Sequence, residues 1–167
     1  MSKSLISVVS PLAPKNFPSI KSVPGVRLSG RAVGLKPSGA KDLMFVELVN
    51  KTSIAGVFTR SRCTSAPVDW CKHILPHGRA RAIIVNSGNA NAFTGSDGEI
   101  VVKNTVNKAA QLINCSQEEI YIASTGVIGE PLPPLSIANK LAAVRRGLGA
   151  KKWKLAAEAI MTTDTFP

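Results

Sequence analysis

The sequence contains no apolar run that approaches the roughly 20 residues of a membrane-spanning helix, because Gly, Pro, Asn and Ser interrupt its longest uncharged stretches. Aromatic residues make up only 5% of the 167 residues, too few for a base-stacking surface of the kind that binds single-stranded nucleic acid. These shortages predict a protein with no membrane segment and no nucleic-acid partner. Hydrophobic residues, at 44%, are sufficient for the core of one domain.

Cysteine and histidine are also scarce, with three and two residues in the chain. The grouping of Cys63, Cys71, His73 and His77 raises the possibility of a zinc site, but the spacing differs from that of the common zinc motifs. Cys115 lies far away in the sequence. We therefore expect no metal, and reduced cysteines in a cytoplasmic protein.

The short motifs that mark many enzymes are missing. The chain has no GxSxG elbow, no HExxH helix, no GxxxxGK[ST] phosphate loop and no dinucleotide-binding glycine motif after a strand. We accordingly expect no bound cofactor.

Acidic residues are the minority charge, with 10 Asp and Glu against 21 Lys and Arg, for a net charge of +11. The excess is concentrated before Asp42 and in residues 140–154. Such a charge is compatible with phosphate or nucleic-acid binding, which would weaken steeply with salt. A solvated basic surface, or one that faces an acidic partner chain, is the interpretation that we favour.

The chain reads as a single domain over residues 1–167, of the α/β or α+β class with a mixed sheet. Residues 1–41 are rich in Pro and Gly, which predicts an extended segment. Predicted strands are 43–49, 56–59, 82–85 and 120–123, the first two forming an antiparallel pair around a turn at 50–53. Apolar spacing predicts a helix over 97–114, a second after a Ser136 cap that ends near Gly147, and a third from Trp153 to Ile160.

Three polar segments follow these elements, at 86–91, 124–129 and 162–165. A Thr125 hydroxyl and a Gly126 N–H that point the same way are suitable donors to a developing oxyanion, although the same residues fit a tight turn. The Thr162 segment offers hydroxyls to an amino-acid substrate, or ends a helix. For Asn86, Asn89 and Asn91 we favour bracing of neighbouring loops over a role in binding.

Taken in order, these segments resemble one family. The relevant motifs are Gly56-Val57-Phe58-Thr59, Ser65-Ala66-Pro67-Val68, Asn86-Ser87-Gly88-Asn89-Ala90-Asn91-Ala92, Ser124-Thr125-Gly126-Val127-Ile128-Gly129 and Ala157-Glu158-Ala159-Ile160-Met161-Thr162-Thr163-Asp164-Thr165. They are similar to the N-terminal half of the ornithine acetyltransferase family, also called glutamate N-acetyltransferases, and span essentially the whole chain.

The resemblance implies a layered, N-terminal-nucleophile-like fold that is completed by a second chain. Members are made as a precursor that cleaves itself before a threonine, which becomes the N-terminal nucleophile of the β chain. The implied reaction moves acetyl from N-acetylornithine to glutamate in arginine biosynthesis, in an α2β2 assembly. Thr125 and Gly126 match the oxyanion-hole pair and Thr162 matches a substrate-binding residue, whereas the nucleophile matches no position up to Pro167.

Two alternatives stay open at this point. The first is a member of the family with altered specificity, which uses acetyl-CoA as an additional donor or acts in secondary metabolism. The second, from another class, is a basic nucleic-acid-binding module.

Overall fold

A computed structural model describes residues 9–167, so the part of the predicted extended segment in residues 1–8 lies outside the described residues. Four strands form one mixed sheet in the order β1-β2-β3-β4. They are β1 (Val26–Arg31), β2 (Leu43–Ser53), β3 (Arg79–Asn89) and β4 (Ile120–Val127). The β1–β2 and β2–β3 pairs are antiparallel, whereas β3 and β4 are parallel.

Four helices cover the two faces of this sheet. They are α1 (Ala66–Ile74), α2 (Gly95–Ile113), α3 (Leu141–Arg146) and α4 (Trp153–Ile160). The first three contribute to the larger core, around Phe45 of β2 and Ile84 of β3. Helix α4 covers the opposite face, where its Ala156 packs with Leu28 and Val46. This α+β arrangement, with a mixed sheet and helices, confirms the predicted fold class.

Helix α2 forms where the apolar spacing predicts a helix, and it connects the parallel strands β3 and β4. Its predicted buried stripe, Val102, Val106, Ala109 and Ile113, is at most 6% exposed. The helix ends at Ile113, and the next residue, Asn114, adopts a left-handed conformation (φ 52°) that asparagine tolerates better than most residues. The predicted third helix is likewise present as α4.

The predicted strand over 56–59 is wrong. Val57 is 97% exposed, and residues 56–59 belong to no strand. Residues 50–53, predicted as a turn, instead belong to β2. The pairing of β2 with β3 shifts register at a bulge between Glu47 and Thr52, and Lys51, within this bulge, has φ 68°. Thr52 and Ser53 then pair with Ala80 and Arg79 of β3. Strand β2 thus finds its backbone partners in β1 and β3 and not in residues 56–59.

The predicted helix after Ser136 is also partly wrong. A 3-10 turn (Ala138–Lys140) comes first, α3 spans only Leu141–Arg146, and Ser136 makes no cap. The buried Ser136 hydroxyl has no hydrogen-bond partner among the described residues. Helix α1 was not predicted, because Pro67 in its first turn and Pro76 and Gly78 just beyond it resemble a loop. Proline is in fact well tolerated in a first turn.

Candidate functional site

The candidate site lies where the parallel strands β3 and β4 end. Strand β4 includes Ser124, Thr125 and Gly126, which pair in register with Asn86, Ser87 and Gly88 of β3. The polar segments that sequence patterns place in loops are therefore partly regular strand. The carboxyl ends of parallel strands are a common location for ligand sites.

Two glycines allow these strands to approach each other at their ends. Gly126 has φ 136°, and a Cβ atom there would lie 2.3 Å from the carbonyl carbon of Gly88. Gly88 itself has φ 100°. Any side chain at position 126 would therefore collide with the main chain of β3, so Gly126 is required for its close approach as well as for its backbone conformation.

An open cleft of about 630 Å³ brings the three predicted site residues together. Thr125 and Gly126 form one wall, and Thr162, which follows the end of α4, lies on another. The lining residues are Lys36, Pro37, Ser38, Gly88, Thr125, Gly126, Val127, Thr162 and Thr163. Within residues 9–167, neither the Thr125 nor the Thr162 hydroxyl has a hydrogen-bond partner, so both remain available to a ligand.

Asp164 orders the Thr162 side of the cleft. Its carboxylate accepts a hydrogen bond from the backbone N–H of Thr162, two residues earlier in the chain, at 3.0 Å. Further along, the Thr165 hydroxyl accepts from the Ser10 N–H at 3.0 Å. In an Asx turn the aspartate precedes the donor by two residues, whereas here Asp164 follows it, so this bond is not an Asx turn. It leaves the Thr162 hydroxyl unbonded.

The asparagines beside the cleft brace the chain. Asn86 donates to the Asn89 carbonyl at 2.9 Å and accepts from the Ser124 hydroxyl at 2.5 Å. Asn89 donates to the Glu130 carbonyl at 2.9 Å, and Asn91 donates to the Gly98 carbonyl at 3.0 Å. All three amides are at most 6% exposed. These contacts agree with the bracing role favoured above.

Lys36 is a residue of the cleft that sequence reasoning missed. Its Nζ donates to the Lys41 carbonyl at 3.0 Å and to the Met161 carbonyl. Burial lowers the pKa of Lys36 below the ordinary value of 10.5, although the carboxylates of Asp42 and Asp164 oppose that shift. The only available signal was the basic character of residues 1–41, which does not separate one lysine from the rest.

Cys71 and the histidines lie away from the cleft. The Cys71 thiol is buried beneath β4, donates to the Ile122 carbonyl at 3.2 Å, and has its pKa raised by that burial. The His73 ring lies 6.4 Å from the Trp70 ring. Cys71 is thus a core residue, and none of these side chains lines the cleft.

Among the described residues, no helix has both the length and the hydrophobicity of a membrane span.

Fold and cleft together define an α+β protein with an open cleft, lined partly by threonine residues, at the ends of two parallel strands. A model of the ArgJ family matches residues 27–167, and the chain therefore belongs to that family.

Individual relatives agree with this assignment. The arginine biosynthesis bifunctional protein ArgJ of Brucella suis is 49% identical over 159 residues, which cover 95% of this chain and 38% of the relative. The Agrobacterium fabrum protein of the same name is 48% identical, with the same coverage. The chain thus spans about 38% of the length of these curated relatives.

Two solved structures share the fold. The ornithine acetyltransferase from Mycobacterium tuberculosis, crystallised in complex with ornithine, has a TM-score of 0.78 at 37% identity, over 88% of this chain and 82% of that one. The arginine biosynthesis bifunctional protein ArgJ from Bacillus halodurans has a TM-score of 0.76 at 33% identity, over 85% of this chain and 74% of that one.

Proposed function

We propose that the chain supplies part of the active site of a cytoplasmic glutamate N-acetyltransferase, which moves acetyl from N-acetylornithine to glutamate in arginine biosynthesis. The observation that carries the proposal is the shared cleft, which contains Thr125, Gly126 and Thr162. Family membership supports it, since the solved relative from Mycobacterium tuberculosis is an ornithine acetyltransferase. Acetyl-CoA is a possible further donor, used as a substrate, and no cofactor is required.

In the proposed reaction, a threonine hydroxyl on a second chain attacks the acetyl carbonyl carbon. The carbonyl oxygen takes up negative charge, which the Thr125 hydroxyl and the Gly126 N–H stabilise. The threonine's own α-amine accepts the hydroxyl proton during the attack and delivers it to the ornithine nitrogen as the bond between that nitrogen and the carbonyl carbon breaks. The glutamate amine then attacks the acetyl-threonine, the α-amine takes a proton from it and returns that proton to the threonine oxygen, and N-acetylglutamate leaves. The Thr162 hydroxyl binds the amino-acid portion of each substrate.

The partner is a β chain from the same precursor, in an α2β2 assembly. The exposed apolar residues at the cleft end of the sheet support a partner here: Val127 is 52% exposed, Ile128 62% and Phe93 70%. The Ala90 N–H donates to the Val127 carbonyl at 2.8 Å, and the Gly129 N–H to the Ala92 carbonyl at 2.9 Å. These bonds hold the 90–93 and 127–129 segments side by side, so that one partner surface reaches both.

The test uses the complete protein, N-acetylornithine and glutamate, with nothing else added. We expect ornithine and N-acetylglutamate as products, in a ping-pong pattern. In a parallel reaction without glutamate, mass spectrometry of the quenched protein should detect an acetylated threonine on a second chain. Folded complete protein that gives neither transfer nor acyl-enzyme would contradict the proposal.

A second arm locates the nucleophile. Residues 1–167 expressed alone should transfer no acetyl, because the described part of the chain holds no serine, threonine or cysteine hydrogen-bonded to a histidine. Stabilisation of an oxyanion without a nucleophile leaves only a weak background rate. A full rate from these residues alone, freed of contaminating enzyme, would place the nucleophile within them and refute the mechanism.

A further inference from the structure

Lys36 joins two walls of the cleft that are distant in sequence. It belongs to the loop between β1 and β2, and its ammonium donates to the Lys41 carbonyl of that same loop and to the Met161 carbonyl at the end of α4. Met161 immediately precedes Thr162. The position of the Thr162 segment relative to the rest of the cleft therefore depends on a charged hydrogen bond from Lys36, which is stronger than a bond between neutral groups.

The loop that carries Lys36 is fixed by a buried carboxylate. Asp42 is fully buried, and its oxygens accept four backbone N–H bonds of 2.6 to 3.1 Å from residues 33–36, the last of them from Lys36. A carboxylate that accepts several N–H groups holds a loop in one conformation. These bonds therefore fix the Lys36 backbone, from which the side chain extends across the cleft.

The Lys36 side chain also contacts the strand beside the oxyanion pair. A Cβ atom at Gly88 would lie 2.9 Å from the Lys36 Cγ, and one at Gly126 would lie 2.3 Å from the Gly88 carbonyl carbon. Lys36, Gly88 and Gly126 are therefore stacked in direct succession. The methylene stem rests on Gly88 while the ammonium reaches Met161, which connects the Thr125–Gly126 wall to the Thr162 wall.

We propose that Lys36 is a positioning residue that holds the substrate-binding Thr162 segment against the oxyanion pair. This inference rests on the function proposed above for Thr162. Two of the three ammonium donors are bonded to backbone carbonyls, and among the described residues the third has no acceptor.

The test compares Lys36→Met with the parent in the complete protein. Methionine keeps an unbranched stem over Gly88 but removes every donor. We expect the KM for N-acetylornithine to rise by about 2- to 10-fold, no more than loss of the Thr162 hydroxyl itself would cause, because Lys36 acts through that segment, while kcat changes by less than about threefold because the oxyanion donors remain. Lys36→Arg, which retains donors, should recover part of the loss.

Hydrogen exchange gives a readout that is independent of catalysis. Backbone amides in residues 161–165 should exchange at least about tenfold faster in Lys36→Met than in the parent, with the strands unchanged. The control is Lys154→Met, which removes an exposed lysine of α4 whose one ion pair among the described residues is with Glu158 at 4.0 Å. This change should leave both KM and exchange unaltered.

Unchanged KM and unchanged exchange in Lys36→Met would overturn the proposal. So would faster exchange throughout the sheet without recovery by Lys36→Arg, since that result makes Lys36 a general stability residue. If the parent transfers no acetyl at all, the proposed function fails, and the exchange comparison still decides whether Lys36 positions the Thr162 segment.

Discussion

The asparagine segment, residues 86–91, and the cleft threonines, Thr125 and Thr162, are both polar and adjoin the same strand ends, but their side chains are in opposite states. Asn86 and Asn91 are each 1% exposed and bonded to the backbone. The threonine hydroxyls face an open cleft, unbonded to any described residue. A buried polar group whose bonds are satisfied within the chain stabilises the fold, whereas an unbonded group in a cleft is available to a ligand.

The same contrast is present between two paired residues of β3 and β4. Ser87 is fully buried and donates to the Ala159 carbonyl of α4 at 2.7 Å, next to Thr125 in the sheet register. Adjacent residues on paired strands thus serve different purposes, because one side chain is enclosed beneath α4 while the other lines the cleft. Substitutions in the two groups should accordingly affect different measurements.

The largest effect is expected at the oxyanion pair. Thr125→Ala in the complete protein should lower kcat by about 10²–10³-fold, because the hydroxyl is proposed to act mainly in the transition state. Steady-state kinetics with N-acetylornithine and glutamate measure it, and Thr52→Ala, whose hydroxyl bonds the Val49 carbonyl on β2, is the control. Intact turnover in Thr125→Ala would show that the oxyanion assignment is wrong.

A smaller loss, of a different kind, is expected at Thr162. Thr162→Ala should raise KM by about 2- to 10-fold with little change in kcat, because one neutral hydrogen bond to the substrate is removed in both ground and transition states. The backbone N–H bond to Asp164 survives the change, so the turn is retained. If KM does not change, Thr162 serves only to end the helix.

The asparagine segment should respond in stability and not in catalysis. Asn91→Ala removes the bonds to the Gly98 carbonyl and from the Thr94 hydroxyl and leaves a left-handed residue (φ 46°) without its tolerant side chain. The free energy of unfolding should fall by about 1–3 kcal/mol, measured by denaturant titration. A large loss of kcat per folded molecule, with stability intact, would erase the contrast between the two segments.

The smallest effect is expected at an ion pair outside both segments. Burial alone would raise the pKa of Glu47, but hydrogen bonds and charge from Arg145 and Arg27 outweigh it and hold that pKa below its ordinary value of 4.5. A lowered folded-state pKa stabilises the protein above about pH 4.5, and that contribution is lost as the pH falls below this value. Arg145→Met should therefore cost up to about 1 kcal/mol at pH 7.

The measurement is chemical denaturation of Arg145→Met and the parent at several pH values. The stability difference should shrink as the pH falls below 4.5, because protonated Glu47 no longer attracts the arginine. A difference that is constant from pH 7 to pH 3 would attribute the loss to the bond between Arg145 and the Leu112 carbonyl and not to the ion pair.

Sequence patterns predicted the elements whose apolar residues recur at regular spacing. They missed those whose formation depends on a neighbouring strand that supplies backbone hydrogen bonds. Helix α2 has a stripe of apolar residues that is buried in any α/β packing, so its position was predictable. Residues 56–59 have strand-forming side chains, but a strand also needs backbone partners, and within the described residues nothing pairs with them. The 50–53 segment looks like a turn, yet β3 lies alongside and supplies its hydrogen bonds.

For the site, resemblance to the ornithine acetyltransferase family predicted Thr125, Gly126 and Thr162, and the structure places all three in one cleft. Their roles as oxyanion donors and substrate-binding residue stay predictions. Lys36 was not predicted because a lysine among six other early cations has no distinguishing neighbour in sequence. Its importance comes from contacts with Met161, 125 residues away, and with Gly88. Such a contact leaves no local pattern.

The sequence by itself determined the class, the helices with a clear apolar period, the family and the polar segments, because periodicity, composition and ordered motifs are local properties of the chain. Only the tertiary structure decided which polar side chains are satisfied and which are free, since a hydrogen bond depends on the distance between atoms and not on residue type. It also decided that Gly126 must be glycine: the reason is the Gly88 backbone, which the parallel pairing of β3 and β4 brings to within van der Waals contact.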